Sequence, residues 1–286
     1  MIKEENPYLI VLGIAQDGGV PQAGSKNHPG WKDPSFKRLV VCLAIVDPEF
    51  SQRWIFECTP DFREQLHRLD KAFPVKKIPG IDGIFLTHAH MGHYSGLLFL
   101  GFESMDAMGV PVYAMPRMRE FLSSNAPWHQ LVANHNISIK PLKEGEPIRL
   151  NIQLTVEPFL SSHRQEFSEV VGFRIDGPNR SILFIPDIDR WENWILDLLS
   201  QVDVAYLDGT FYEKREVKGR DMSSFPHPTI QESMERFESL PLKDRNKIRF
   251  IHLNHTNPAL IRDSDARKTI EKNGFRVAEE MERFEL

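Results

Sequence analysis

The stretch Thr87-His88-Ala89-His90-Met91-Gly92-His93 places three of the chain's eleven histidines within six positions, directly after the apolar run Gly83-Ile84-Phe85-Leu86. Imidazoles at i and i+2 on a strand end point to the same side, and one at i+5 folds back once the chain turns. Neutral imidazole is a borderline ligand that suits zinc, iron, manganese or nickel, so the run reads as half of a metal site. Suitable partners recur at strand ends downstream. His163 follows an apolar run at 152–157, Asp187 one at 181–185, Asp208 closes 202–208, and His252 with His255 closes 250–255. Singly, each is an ordinary turn-former or a hydrogen-bonded histidine. Together they are better explained by a metal centre.

Those side chains need a frame. Short runs rich in Val, Ile and Phe predict strands over 9–15, 39–47, 53–57, 83–87, 110–114, 152–157, 170–175, 181–185, 202–208 and 248–253. Helical patterns cover 60–72, 93–100, 116–123, 191–200, 229–240 and 257–272. Thr59-Pro60 and Asn257-Pro258 read as N-caps followed by proline in the first helical position. Gly177-Pro178-Asn179 separates two strands as a hairpin turn. The alternation, with consecutive strands in the middle, predicts an α/β (α+β) fold of two sheets packed between helices, with functional loops at one rim. Gln16-Asp17-Gly18-Gly19 lacks the spacing and the following helix of a phosphate cradle, so a tight turn bringing backbone to the rim is expected. No repeat or linker divides the 286 residues, which predicts one domain over 1–286.

A net charge of −5 gives no basic field for a nucleic-acid backbone. The two cysteines, Cys42 and Cys58, lie in apolar strand contexts and read as buried thiols, too few for a disulfide framework or a cysteine zinc cluster. Neither a signal-peptide pattern nor a run of ~20 apolar residues is present, so cytoplasmic residence without membrane contact is expected. A small-molecule substrate is the expected partner, and the oligomeric state is left open.

His-X-His-X-X-His, a later histidine, a strand-end aspartate and a final strand-end histidine, in that order, resemble the metallo-β-lactamase superfamily. The resemblance sharpens toward the pyrroloquinoline quinone biosynthesis protein B (PqqB) branch. It is carried by Leu12-Gly13 with Gly18-Gly19-Val20-Pro21-Gln22 and by Thr59-Pro60-Asp61-Phe62-Arg63-Glu64-Gln65. The most specific phrases are Phe184-Ile185-Pro186-Asp187-Ile188-Asp189-Arg190-Trp191, Asp208-Gly209-Thr210-Phe211 and Phe250-Ile251-His252-Leu253-Asn254-His255-Thr256-Asn257-Pro258. The resemblance implies an αββα sandwich, with one metal on His88, His90 and His163, a second on His93 and His252, and Asp187 bridging both. The superfamily motif is His-X-His-X-Asp-His, and Gly92 stands at its aspartate. A second ion is therefore expected to bind more weakly, or to need His255, Asp208 or water. The chain also keeps histidines that the branch has lost, and has Ala23-Gly24-Ser25 where the branch's cysteine-rich knuckle begins. Its function need not be cofactor biosynthesis.

A metal held by imidazoles and a carboxylate lowers the pKa of bound water to about 7 and polarises carbonyl or phosphoryl oxygens. The leading expectation is a metal-dependent hydrolase using a metal-bound hydroxide on an ester, amide, lactone or phosphodiester. The cofactor would be one or two zinc ions, with iron or manganese as alternatives. Asp187 is the expected water-orienting group, with His227 and His255 as proton-transfer candidates. Asp61 either reaches the rim or stabilises a helix N-terminus. Two alternatives are an Fe(II)-dependent oxygenase or oxidase of the PqqB type, and a non-catalytic metal- or ligand-binding relative.

Overall fold

Strand β1 (Tyr8–Gly13) turns Leu9 and Val11 into one apolar core and Tyr8, Ile10 and Leu12 into another. Such alternation, apolar on both faces, is what a strand needs when its sheet is covered on both sides. The computed structural model describes residues 6–217, 219, 222 and 225–286. Five strands join β1 in the first half of the chain: β2 (Cys42–Asp47), β3 (Gln52–Phe56), β4 (Gly83–Phe85), β5 (Val110–Ala114) and β6 (Ile137–Pro141). The second half supplies β7 (Ile148–Arg149), β8 (Thr155–Leu160), β9 (Val171–Asp176), β10 (Ser181–Ile185), β11 (Val204–Asp208), β12 (Ile248–Ile251) and β13 (Arg276–Val277). A last strand, β14 (Arg283–Glu285), returns to the first sheet. The sheet orders are β14-β1-β2-β3-β4-β5-β6 and β13-β12-β11-β10-β9-β8-β7. Both are mixed, with antiparallel pairing at β1–β3 and β7–β10 and parallel pairing at β3–β6 and β10–β13.

Aromatic side chains from both sheets meet between them. Phe173 stands edge-on to Phe56 and Phe85, with ring centroids 5.5 and 5.6 Å away. Helices flank the sheets. Phe62, Leu66 and Leu69 of α1 (Phe62–Ala72) and Leu122 of α3 (Pro116–Ser124) join the core of Ile10 and Leu12. Ile195 and Leu199 of α5 (Trp194–Ser200), Phe237 of α6 (Ile230–Phe237) and Ile270 of α8 (Asp265–Lys272) join the larger core. This is the αββα arrangement expected above. Cys42 and Cys58 are fully buried and unpaired, and burial pushes both thiols up. No helix among the described residues is long and apolar enough to cross a membrane.

Several elements depart from expectation, each for a local reason. The strand expected at 152–157 runs from Thr155 to Leu160, because Asn151 accepts from the N–H groups of Gln153 and Leu154 and forms a turn there. The helix expected over 257–272 breaks in two. Asn257 caps a short 3₁₀ turn, Pro258–Leu260, and Ser264 caps α8 separately. The stretch 93–100 divides into α2 (Met91–Tyr94) and a 3₁₀ segment, Ser95–Leu100, while two further short helices, α4 (Trp128–Ala133) and α7 (Leu242–Arg245), lie between the expected ones. The hairpin at Gly177-Pro178-Asn179 forms, with Ser181 opposite Asp176.

The sheets are stitched together at one end. Ala15 bridges to both Val40 and Leu253, the Gln16 N–H donates to Leu253 O at 2.9 Å, and the Leu253 N–H donates to Ile14 O at 2.8 Å. The chain just past β1 is thereby fixed beside the chain just past β12.

Candidate metal centre

Every residue of the site follows the C-terminal end of a strand at this stitched end. His88, His90 and His93 follow β4, His163 follows β8, Asp187 follows β10, and His252 follows β12. His88, His93, His163, Asp187 and His252 are buried, and His90 is 15% exposed at its side chain. Nitrogen and oxygen atoms converge. His88 Nε2 is 2.8 Å from His90 Nδ1, His163 Nε2 is 3.7 Å from Asp187 Oδ1, and His93 Nε2 is 3.1 Å from Asp187 Oδ2. His252 Nε2 is 3.5 Å from the same Asp187 oxygen. His252 adopts φ 64°, an unusual backbone conformation for a side chain of its size and one that concentrates at functional positions.

Each histidine is oriented from behind. Glu57 lies 3.1 Å from His93 Nδ1 and accepts the Thr87 hydroxyl, so the Thr87 oxygen is left to accept from His88 Nδ1 at 2.8 Å. Asp208 repeats the device in the other sheet. It lies 2.8 Å from His227 Nδ1 and accepts the Thr210 hydroxyl, which in turn meets His252 Nδ1 at 2.9 Å. Asp189 holds His163 Nδ1 at 2.7 Å, and Glu166 meets His90 Nε2 at 3.3 Å. With the outer nitrogen set against its oxygen, the inner nitrogen is turned to the cluster, where the unprotonated tautomer presents its lone pair. Such outer partners orient metal-ligating histidines and raise their basicity. Burial pushes His88 well down, toward the neutral imidazole that a lone-pair donor needs. Burial alone would raise the Asp187 carboxyl, but His252, His93 and His163 hold it far below the usual carboxylate range.

His93 Nε2, His163 Nε2, His252 Nε2 and Asp187 Oδ2 are buried and have no hydrogen-bond partner. Buried polar atoms are rarely left so, and a cation is the partner that would satisfy four acceptors at once. Donors about 2.0–2.1 Å from a tetrahedral ion stand roughly 3.3 Å apart, close to the spacings found here. The donor set fits a divalent transition metal.

Asp17 was not anticipated. Its Oδ1 lies 3.1 Å from His93 Nε2 and 3.5 Å from His252 Nε2, beside Gly92. The expectation that Gly92 leaves this side of the cluster without a carboxylate is therefore corrected. The only signal in the sequence was an acid inside a glycine turn after a strand. Asp208 and His255 do not replace the missing group either. Asp208 is fully buried and taken up by Ile188 N, Thr210 and His227. His255 lies past the turn and faces His28, with ring centroids 6.4 Å apart. Asp61 accepts from Val40 N at 2.8 Å, with Oδ2 close to Gly19, so it braces the loop that carries Asp17. His227 stays with the cluster, its ring 5.1 Å from that of His163. Burial opposes its protonation, but Asp208 lifts its pKa to about 9. A cavity of about 670 Å³ opens beside it, lined by Asp189, Trp191, Phe211, Arg215, Phe225 and His227 among others.

Two mixed sheets between helices, with histidines and carboxylates gathered at their ends, define a metallo-β-lactamase fold. Residues 52–253 match the family described as the β-lactamase superfamily domain, and the chain belongs to that superfamily. Along its length it is similar to coenzyme PQQ synthesis protein B of Methylobacterium sp. (strain 4-46), at 25% identity over 94% of this chain and 96% of that protein. The same-named protein of Methylococcus capsulatus is 26% identical over 94% and 97%. Among solved structures, the Zn²⁺-bound PqqB from Methylobacterium extorquens aligns with a TM-score of 0.83 at 22% identity, covering 98% of this chain and all 100% of that one. A diphosphatase of the PhnP family aligns with a TM-score of 0.71 at 21% identity, over 98% and 97%.

Proposed function

We propose that the protein is a metal-dependent hydrolase of a small anionic ester or phosphodiester, with His88, His90, His163, His93, His252 and Asp187 holding one or two zinc ions. The observation that carries this reading is the set of inward-facing, unpartnered donor atoms at ligand spacing. A bound divalent metal would supply Lewis acidity and a water acidic enough to be deprotonated near neutral pH. Asp187, an ionised carboxylate at the centre of the cluster, orients the attacking water. His227, at the junction of cluster and cavity, holds a proton for the leaving group, with Asp208 fixing Nδ1 so that Nε2 is the nitrogen that meets substrate. Arg190, Lys214, Arg215 and Arg236 outnumber Asp189 and Glu232 in the cavity lining, which favours a negatively charged substrate. His255, whose ring faces that of His28, is given no role in this reading. The same histidine–carboxylate donors suit ferrous iron, which keeps an iron-dependent oxidase, the activity the PqqB resemblance implies, as the second reading.

Zinc-, manganese- and iron-loaded protein should be assayed on an aryl phosphodiester, an aryl carboxylate ester and a lactam. Turnover is expected with zinc or manganese, and His227→Gln should lower it about 100-fold while metal content stays constant. Metal-loaded protein inert toward all three, yet consuming oxygen with iron, would replace the first reading by the second.

A further inference from the structure

We infer that Asp17 is a metal ligand delivered from the loop after β1, and that Gly92 lacks a side chain because Asp17 fills its space. The inference rests on the metal-centre reading above. Asp17 Oδ1, His93 Nε2, Asp187 Oδ2 and His252 Nε2 form a closed ring of donors with successive separations of 3.1, 3.1, 3.5 and 3.5 Å. All four atoms are buried and without a hydrogen-bond partner, although the rest of the Asp17 side chain reaches solvent. Two imidazoles and two carboxylates in that arrangement make a complete four-donor site for a divalent cation.

The relation to Gly92 is steric. A Cβ added there would lie 2.2 Å from Asp17 Oδ1, 2.5 Å from its Cα and 2.7 Å from its Cβ. Backbone is among those atoms, so rotating the Asp17 side chain would not relieve the clash. The loop itself has little freedom to retreat. Gly19, at φ 68°, closes the turn by donating to Gln16 O at 2.8 Å, and Gln16 donates to Leu253 O, one residue beyond His252. The bridge that fixes His252 thus fixes Asp17 as well. A carboxylate can approach this position from the loop or from position 92, but not from both. The second cation should then meet two carboxylates rather than one, and bind far more tightly than a site short of one.

Zinc titration by calorimetry, metal content after gel filtration and melting temperature test this without any activity assay. The parent chain should take up two zinc equivalents. Asp17→Asn, nearly isosteric, should keep one and weaken the second about 100-fold or more. Gly92→Ala should lower the melting temperature and weaken the same equivalent. The exchange Asp17→Gly with Gly92→Asp should recover the second equivalent relative to either Asp17→Asn or Gly92→Ala. Two equivalents of unchanged affinity in Asp17→Asn, or one equivalent in the parent that Asp17→Asn leaves untouched, would overturn the assignment of Asp17. A Gly92→Ala protein as stable and as metal-replete as the parent would overturn the steric relation. Failure of the parent chain to retain any zinc, manganese or iron would instead overturn the metal-centre reading itself.

Discussion

Two carboxylates behind the cluster each serve a pair of histidines, one directly and one through a threonine hydroxyl. Glu57 serves His93 and His88, and Asp208 serves His227 and His252. The strand-end histidines and Asp187 were legible because their types and spacing repeat at the ends of apolar runs. Glu57, Thr87 and Thr210 were not, because nothing in a single sequence distinguishes a buried orienting group from any polar residue at a strand end. Asp17 was hidden for another reason: its partner lies 75 positions away, and the clue at that partner is the absence of a side chain. Glu216 carries a separate, testable consequence. It accepts from the Tyr212 N–H and the Thr256 hydroxyl, yet burial dominates and lifts its pKa to about 7. Between about pH 4.5 and 7 the folded chain holds a proton there that the unfolded chain has lost, so this group lowers stability as pH rises. Relative to Glu216→Gln, the parent should lose up to about 3 kcal/mol between pH 4.5 and 7.5, read by urea unfolding at each pH. A difference that does not change with pH would show a carboxyl ionised throughout.

Among the elements, α6 shows how a cap positions chemistry. Thr229 accepts from the Glu232 N–H and Glu232 accepts from the Thr229 N–H, a reciprocal capping box two residues past His227. Thr229→Ala should cost about 1 kcal/mol in denaturant unfolding. It should also lower turnover more than an Ala placed at Ser200, whose hydroxyl donates to Asp197 O within α5. Equal effects on turnover would show that the cap supports the helix without supporting His227. Elements with strong periodicity and clear turns, such as the β9–β10 hairpin, were legible to within a residue or two. The β6 strand was not, because Ile137-Ser138-Ile139-Lys140-Pro141 has too few apolar residues to stand out. It forms as an edge strand because β5 offers it a parallel partner, and its proline is tolerated at that edge. Local side-chain caps at Asn257 and Ser264 likewise outweighed the helical periodicity of 257–272.

Across the whole molecule, the donors divide between the sheets. Asp17, His88, His90 and His93 hang from the first, and His163, Asp187 and His252 from the second. A cation held by both groups would tie the sheets together at the end where the Ala15–Leu253 bridge and the Val171 N–H bond to Thr87 O already join them. Without a cation the protein keeps several buried acceptor atoms unsatisfied, each of which weakens the folded state. A ligand that binds only the folded chain stabilises it by about 4 kcal/mol when present at 1,000 times its Kd. For a chain of this size that corresponds to a melting-temperature shift on the order of 10 °C. Dialysis against a chelator should therefore lower the melting temperature of metal-loaded protein by about that amount, and added zinc should restore it. In a His88→Ala/His90→Ala variant the shift should shrink to what the His93–His252 group supports alone, and adding Asp17→Asn should nearly abolish it. A chelator effect of full size in the triple variant would place the stabilising ion outside this cluster, and the tie between the sheets would then rest on their hydrogen bonds.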